Sequence, residues 1–579
     1  MGGAVSSLRD LDTVTKRLVH LSENDPNKEI FVFYTSGLRE AYTARQLYTL
    51  AGRFAFRLRQ RGFQKGDVIA NTLNDSPERV VTDIGIMLAG CVTMNIQLLL
   101  ADGSDFRFMA QNSKCRAVIM SPWKQGSAWK LMNPFFSGKS DQGFVDIHID
   151  NIPDLTSAIL VGRTENGENK HFLNDLKIGR ENIYVEPAKP DDLLIIISTS
   201  GSTGYSKLVP RSHEDILKSE DLAHYVLSPG VQWNSPREKC LKYYNDKSMG
   251  WGIGIPFAPI CSADTRVLTD IFDAAVKRTG KDLWEASTKE NAQCCPMLCL
   301  EMDSVQEYID SVGGSDFKFK MLIAGAQPLR KSQMENFLTL TEKLIVTYGS
   351  TEAGYLTAKF ITKGDTIQSN DNGKVLPGVE LRIVAEDGRL CRPGETGTIE
   401  VKGPDVFKGY YNRLTSPDPQ TVKAFTSDGW FKMEDYGHID EDGNVFVFGR
   451  TKDIIIYGAD LLYPGWMEKK LMEHSDVLEA VVVPVSDPLL YQNICACVKI
   501  KRDSELNEDQ LRKYCDQIFL PNLVTEETPK PQYFIITKGD FPETSTGKPN
   551  KKRLREMAES MFGYDKKVIS SVAEPESET

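Results

Sequence analysis

The chain has no apolar run long enough to cross a membrane, and its N-terminus lacks the charged-then-apolar layout of a secretory signal. Its eleven cysteines are scattered: Cys294 adjoins Cys295, one residue separates Cys495 from Cys497, and no pair-and-pair zinc spacing occurs. Reduced, structural thiols in a reducing, cytoplasmic compartment are therefore expected. Positive charge is in deficit, with a formal net charge of -11 and a pI near 5.4. That balance speaks against a nucleic-acid-binding surface, and an acidic protein with an anionic substrate must concentrate its cations locally. The C-terminal residues carry no peroxisomal or retention signal.

What the chain does have is size. Its 579 residues, 41 % of them hydrophobic, exceed one core and imply two or more domains. The acidic tail Ala573 to Thr579 is expected to be disordered. Met1-Gly2-Gly3-Ala4-Val5-Ser6 fits the N-myristoylation pattern, although one acyl chain gives only marginal membrane binding and no basic cluster lies nearby.

Helical and strand patterns alternate from Asp12 onward. Ile30 to Tyr34 and Val68 to Ala70 read as strands, Thr43 opens a helix that Arg61-Gly62 stops, and Ser76-Pro77-Glu78 opens another ending at Ala89-Gly90. Strand, helix, strand is an α/β beginning. From Pro122 to Asn182 the signals are few. The apolar strand Leu193 to Ile197 then empties into Ser198-Thr199-Ser200-Gly201-Ser202-Thr203-Gly204-Tyr205-Ser206-Lys207. Two glycines allow a tight turn, hydroxyls and N–H groups supply donors, and one lysine supplies positive charge, which together make a cradle for phosphate. The Walker spacing is absent, because Ser206 rather than glycine precedes Lys207. A helix follows from about Ser212, and Tyr243 to Gly252 forms a glycine-rich aromatic segment suited to lining a pocket or merely turning.

Two further strands, Lys320 to Ala324 and Lys343 to Thr347, empty into Gly325-Ala326-Gln327-Pro328-Leu329 and Tyr348-Gly349-Ser350-Thr351-Glu352. Ligands of open α/β sheets bind at the carboxyl ends of strands. Beyond Gly373 short strands and the hairpin turns Asp387-Gly388 and Asp442-Gly443 mark a β-rich subdomain, and a compact α+β unit begins near Lys452.

These motifs, in this order over Thr43 to Arg555, resemble the adenylate-forming superfamily of acyl-CoA synthetases, peptide-synthetase adenylation domains and luciferase-like enzymes. The resemblance implies an α/β fold. Residues 1–451 would form a large N-terminal adenylation domain of two α/β sheets plus the β-rich subdomain, and 452–579 a small mobile α+β domain. It implies ATP, Mg²⁺ and coenzyme A as cofactors. Thr199, Ser200, Gly201, Ser202, Thr203, Gly204 and Lys207 would hold phosphates. Gly325, Ala326 and Gln327 would wall the adenine, followed by Tyr348, Gly349, Ser350 and Thr351. Glu352 with Thr203 would hold the metal, Asp435 and Arg450 the ribose, and Lys548 would be catalytic, with Lys452 as hinge. The expected reaction activates a carboxylic acid, a medium- or long-chain fatty acid or an aryl acid, to an acyl-adenylate and passes it to coenzyme A. The alternatives are an acceptor other than coenzyme A, or a non-catalytic nucleotide- or acyl-binding descendant.

The sequence departs from the superfamily pattern at four places. Ser206-Lys207-Leu208 replaces Pro-Lys-Gly, Glu434 replaces a glycine before the ribose aspartate, and Gly458-Ala459 replaces a glycine pair. Asn245 and Asp246 stand where many relatives carry a histidine. Acetyl-specific members place tryptophan at the position of Gly349, so glycine implies an open acyl pocket and Gly349→Trp a shift toward short acids.

Overall fold

Local signals set the element boundaries around the site. Thr43 and Gln46 form a reciprocal capping box on the helix Ala44–Gln60, and Gly62 follows its end at φ 80°. The Ser76 hydroxyl caps Pro77–Leu88, with proline at the first helical position where its missing N–H is not needed. The computed structural model describes residues 8–96, 104–124, 126–163, 171–199, 207–227, 241–272, 278–326, 329, 331–415, 418–450, 455–457, 460–462, 464–487, 491–519, 530–543 and 548–563.

The architecture is α/β. An eight-stranded sheet has five parallel strands at its centre, Leu193–Thr199, Val92–Asn95, Val68–Asn71, Ala117–Met120 and Ser157–Leu160 in spatial order. Lys207–Ser212 pairs antiparallel on the outer edge of Leu193–Thr199. The central strands are buried along nearly their whole length, which explains why Leu193 to Ile197 reads as a continuous apolar run. A nine-stranded sheet contains Phe319–Ala324 parallel to Thr341–Ser350, with Gly354–Ile361 returning antiparallel beside the latter. The stretch from Pro122 to Asn182 supplies the strands Phe136–Asp141, Phe144–Ile147 and Ser157–Leu160 and the helix Phe172–Ile178. Strands this short leave little periodicity to read.

A four-stranded sheet follows, in the order Glu380–Val384, Gly397–Lys402, Phe431–Ile439 and Val445–Arg450. Gly388 and Gly443, the turn glycines read from the sequence, both have positive φ, 84° and 82°. The last sheet has five strands, with Tyr491–Ile500 between Val477–Asp487 and the parallel Tyr533–Thr537. Residues 1–382, 400–433 and 439–446 make one compact unit, and 383–399, 434–438 and 447–579 the other. No helix among the described residues is long and apolar enough to cross a membrane.

Candidate active site

In the first unit the carboxyl ends of three strands carry the predicted site residues. Thr199 and Lys207 face each other across the antiparallel pair. Ser200, Gly201, Ser202, Thr203 and Gly204 lie outside the described residues, as do Gln327, Lys452, Gly458, Ala459 and the N-terminal myristoylation motif.

The Lys207 ammonium sits 4.9 Å from the centre of the Tyr410 ring and donates to its hydroxyl at 3.4 Å. The same hydroxyl donates to Glu352 Oε1 at 3.1 Å. One phenol thus holds the lysine of the first motif and the carboxylate of the third. The Glu352 side chain is half-buried, and its carbonyl accepts from Phe407 N–H at 2.8 Å.

Gly325 ends the strand Phe319–Ala324 against its parallel neighbour, where an added Cβ would lie 2.6 Å from the Thr347 carbonyl oxygen. Only glycine permits that approach. Ala326 follows in the left-handed region at φ 63°. Tyr348, Gly349 and Ser350 end the next strand, and a bulge falls between Tyr348 and Gly349.

That bulge corrects the expectation about Gly349. A Cβ there would lie 2.0 Å from the Gly354 carbonyl oxygen across the strand pair, so the backbone itself excludes a side chain. Gly349→Trp should break the pairing rather than trim an acyl pocket. Because the clash begins at Cβ, Gly349→Ala alone should destabilise the fold by about 1–3 kcal/mol, seen as a lowered thermal midpoint. An unchanged midpoint would restore the pocket reading.

Two buried groups that sequence reading missed fix the turn carrying Thr351 and Glu352. Arg211, on the strand that Lys207 opens, donates to the Thr351 carbonyl at 2.7 Å, to Asp405 Oδ1 at 3.0 Å and to the Asp405 carbonyl at 2.6 Å. Ser219 donates to the same carboxylate oxygen at 2.6 Å. Burial pushes the Asp405 carboxyl above its ordinary range, opposed by the Arg211 charge. Gly354, at φ 63°, leaves room for Asp405, since a Cβ there would lie 1.6 Å from Oδ2. Gly409-Tyr410-Tyr411, an aromatic pair behind a glycine, is the sequence mark of the Lys207–Tyr410–Glu352 contact and not of the Arg211–Asp405 pair.

The segment Tyr243 to Gly252 is tied to the core by charge. Lys247 and Asp246 are both buried and pair at 2.8 Å, Glu301 pairs with Lys247 from the other side, and the fully buried Arg266 donates to the carbonyls of Asn245 and Lys247 at 2.8 Å each. The neighbouring cations Lys247 and Arg278 hold the Asp246 carboxyl below its usual range against the penalty of burial.

The second unit carries the remaining predicted residues. Asp435 is buried on Phe431–Ile439, and Arg450 ends the strand Val445–Arg450. Glu434, where relatives carry glycine, has φ 57°. The left-handed region costs a side-chain-bearing residue roughly 1–2 kcal/mol, part of which glycine returns as unfolded-state entropy. Glu434→Gly should therefore raise the unfolding midpoint by the equivalent of about 1 kcal/mol; a lower midpoint would mean that the glutamate side chain compensates for its backbone. Lys548 is exposed, next to a bridge between Glu543 and Pro549 and two residues before Asn550, whose side chain caps the helix Lys551–Phe562. The basic run from Lys548 to Arg555 is thus mostly the first turns of a packed helix, with Leu554 and Ala558 buried against Val481, Val483 and Val485.

Residues 19–411 match the AMP-binding enzyme family and residues 467–548 its C-terminal domain. The chain belongs to the AMP-binding enzyme family. It is 24 % identical to a mitochondrial medium-chain acyl-CoA ligase of Danio rerio over 95 % of this chain and 89 % of that protein. It is 26 % identical to a long-chain-fatty-acid–CoA ligase of Bacillus subtilis over 92 % of each. Its fold matches the crystal structure of ATP-bound MatB from Rhodopseudomonas palustris with a TM-score of 0.74, at 22 % identity, over 95 % of this chain and 99 % of that one.

Proposed function

We propose that the protein is an ATP-dependent acid:coenzyme A ligase that forms AMP. The observation that carries this reading is the joint seat of Lys207 and Glu352 on Tyr410, at the strand ends of a chain of the AMP-binding enzyme family. A carboxylate oxygen attacks the α-phosphate of ATP, the bond to the β-phosphate breaks, and pyrophosphate leaves. The thiol sulfur of coenzyme A then attacks the acyl carbonyl, the acyl–oxygen bond breaks, AMP departs and the thiol proton is released.

Two anions must meet in the first step, so cations and N–H donors are what the site must supply. Lys207 and the residues 199–204 would hold the β- and γ-phosphates, Gly325 to Gln327 and Tyr348 to Thr351 the nucleoside, and Asp435 and Arg450 the ribose hydroxyls. Among the described residues no three His, Cys, Asp or Glu side chains gather as a metal cage. Glu352 and the Thr203 hydroxyl would hold a magnesium ion, a hard cation that suits oxygen donors, and bound there it would supply positive charge beside the pyrophosphate. Lys548 would contact the incoming carboxylate and the bridging oxygen, with Lys452 as hinge between the domains 1–451 and 452–579. The acid is a medium- or long-chain fatty acid or an aryl acid, and the compartment is cytoplasmic.

Incubation of the purified protein with ATP, Mg²⁺ and a panel of such acids, with and without coenzyme A, tests the assignment. Acyl-CoA with matching AMP and pyrophosphate supports it. Pyrophosphate without acyl-CoA points to a different acceptor, and neither product to a nucleotide-binding protein without turnover.

A further inference from the structure

Opposite charges brought near one another in a partly dry site tend to collapse into an ion pair, and here both charges are needed elsewhere. Lys207 must meet phosphate oxygens and Glu352 a metal, and the fold sets a phenol between the two heads. Tyr410 stands between them, its ring face under the Lys207 ammonium at 4.9 Å and its hydroxyl accepting from that ammonium at 3.4 Å while donating to Glu352 at 3.1 Å. The phenol is itself rigidly placed. Its backbone N–H donates to Thr421 Oγ1 at 2.8 Å, its ring packs edge-on to Phe407 at 4.8 Å between centroids, and the next residue's N–H donates to the Leu208 carbonyl at 2.8 Å. Phe407 in turn donates its N–H to the Glu352 carbonyl. The segment 407–411 therefore grips the backbone beside both charged residues and inserts one side chain between their heads.

We propose that Tyr410 is a positioning residue for the nucleotide–metal complex. It holds Lys207 and Glu352 apart and aimed, with two weak bonds that are given up when phosphate and magnesium arrive. The inference rests on the ligase reading for the identity of those ligands, but not on turnover. A cation over an aromatic face and a hydrogen bond to a charged group are each strong enough to orient a side chain and weak enough to be exchanged for a phosphate.

Substitution separates the ring from the hydroxyl. Tyr410→Phe keeps the ring beside Lys207 and removes the hydroxyl that donates to Glu352 and accepts from the Lys207 ammonium; the lysine keeps its ring contact while Glu352 loses its donor, so the larger effect should fall on the metal. The expected result, by calorimetry on the full chain without acid substrate, is an MgATP dissociation constant raised about tenfold at low free Mg²⁺ and largely recovered at saturating Mg²⁺. Tyr410→Leu removes both contacts, and saturating Mg²⁺ should leave its affinity for MgATP reduced. The thermal midpoint of Tyr410→Phe should match the wild type, because the ring packing is kept. Overturning results are an unchanged Mg²⁺ dependence in Tyr410→Phe, or a loss of affinity that Mg²⁺ leaves untouched. If the wild type binds MgATP and activates no acid, the ligase reading fails while the Tyr410 comparison keeps its outcome.

Discussion

Lys548→Ala should lower acid-dependent pyrophosphate release by a factor of roughly 10²–10³, the usual effect of removing one charge aimed at a transition state. The variant should fold as the wild type does. Lys548 is exposed, and what positions it is the backbone around it: the Glu543 to Pro549 bridge, the Asn550 N–H donating to the Pro542 carbonyl, and the capped helix Lys551–Phe562. That helix is fastened by Leu554 and Ala558 and by Glu559, which accepts from Ser486 N–H at 2.9 Å. These contacts belong to the backbone and to the helix that follows, so truncating the exposed side chain leaves them in place. The check is steady-state pyrophosphate release beside a thermal melt, with Lys552→Ala as control, since Lys552 lies on the same basic run and has no assigned role. Full activity in Lys548→Ala would overturn the mechanism; equal losses in both variants would mean that the run acts only as a diffuse positive field.

Arg211→Met should be the most destabilising single change near the site. Arg211 and Asp405 are 4 % and 3 % exposed, and removing the guanidinium leaves a buried carboxylate whose remaining side-chain donor among the described residues is Ser219. Breaking a buried pair from one side costs about 3–5 kcal/mol. The Thr351 carbonyl also loses its donor, so the turn bearing Glu352 loosens and MgATP affinity should fall with stability. Asp405→Leu in the same chain removes the stranded charge and should return much of the stability while leaving MgATP affinity low, because Thr351 remains unheld. Urea midpoints of the single and double variants measure this directly. A single variant as stable as the wild type would mean that water reaches Asp405 freely.

The sequence made the scaffold readable wherever one physical signal dominated. Thr43, Ser76 with Pro77, and the run Leu193 to Ile197 each announced an element, because caps and doubly buried strands leave local marks. The strand ends that carry Gly325 and Tyr348 to Glu352 were legible for the same reason, and their order along the chain identified the chemistry. Long-range polar contacts were not legible. Arg211 and Asp405 lie 194 residues apart, and Tyr410 meets Lys207 across 203, so no spacing could have joined them. Gly349 was read through its place in a motif, and the reason for its glycine, a carbonyl 2.0 Å from the missing Cβ, lies on the neighbouring strand. Glu434 is the reverse case. The departure from glycine was visible in the sequence, and the positive φ that makes it matter required the backbone.

The central claim is that a carboxylate oxygen of the substrate attacks the α-phosphate of ATP and stays with AMP when the thiol takes the acyl group. An acid found active in the panel, labelled with ¹⁸O in its carboxylate and turned over with unlabelled ATP and coenzyme A, tests this by mass spectrometry of the nucleotide product. One ¹⁸O atom in each AMP is the predicted result, with the other retained in the acyl-CoA. Unlabelled AMP, or label found in phosphate or ADP instead, would contradict the account.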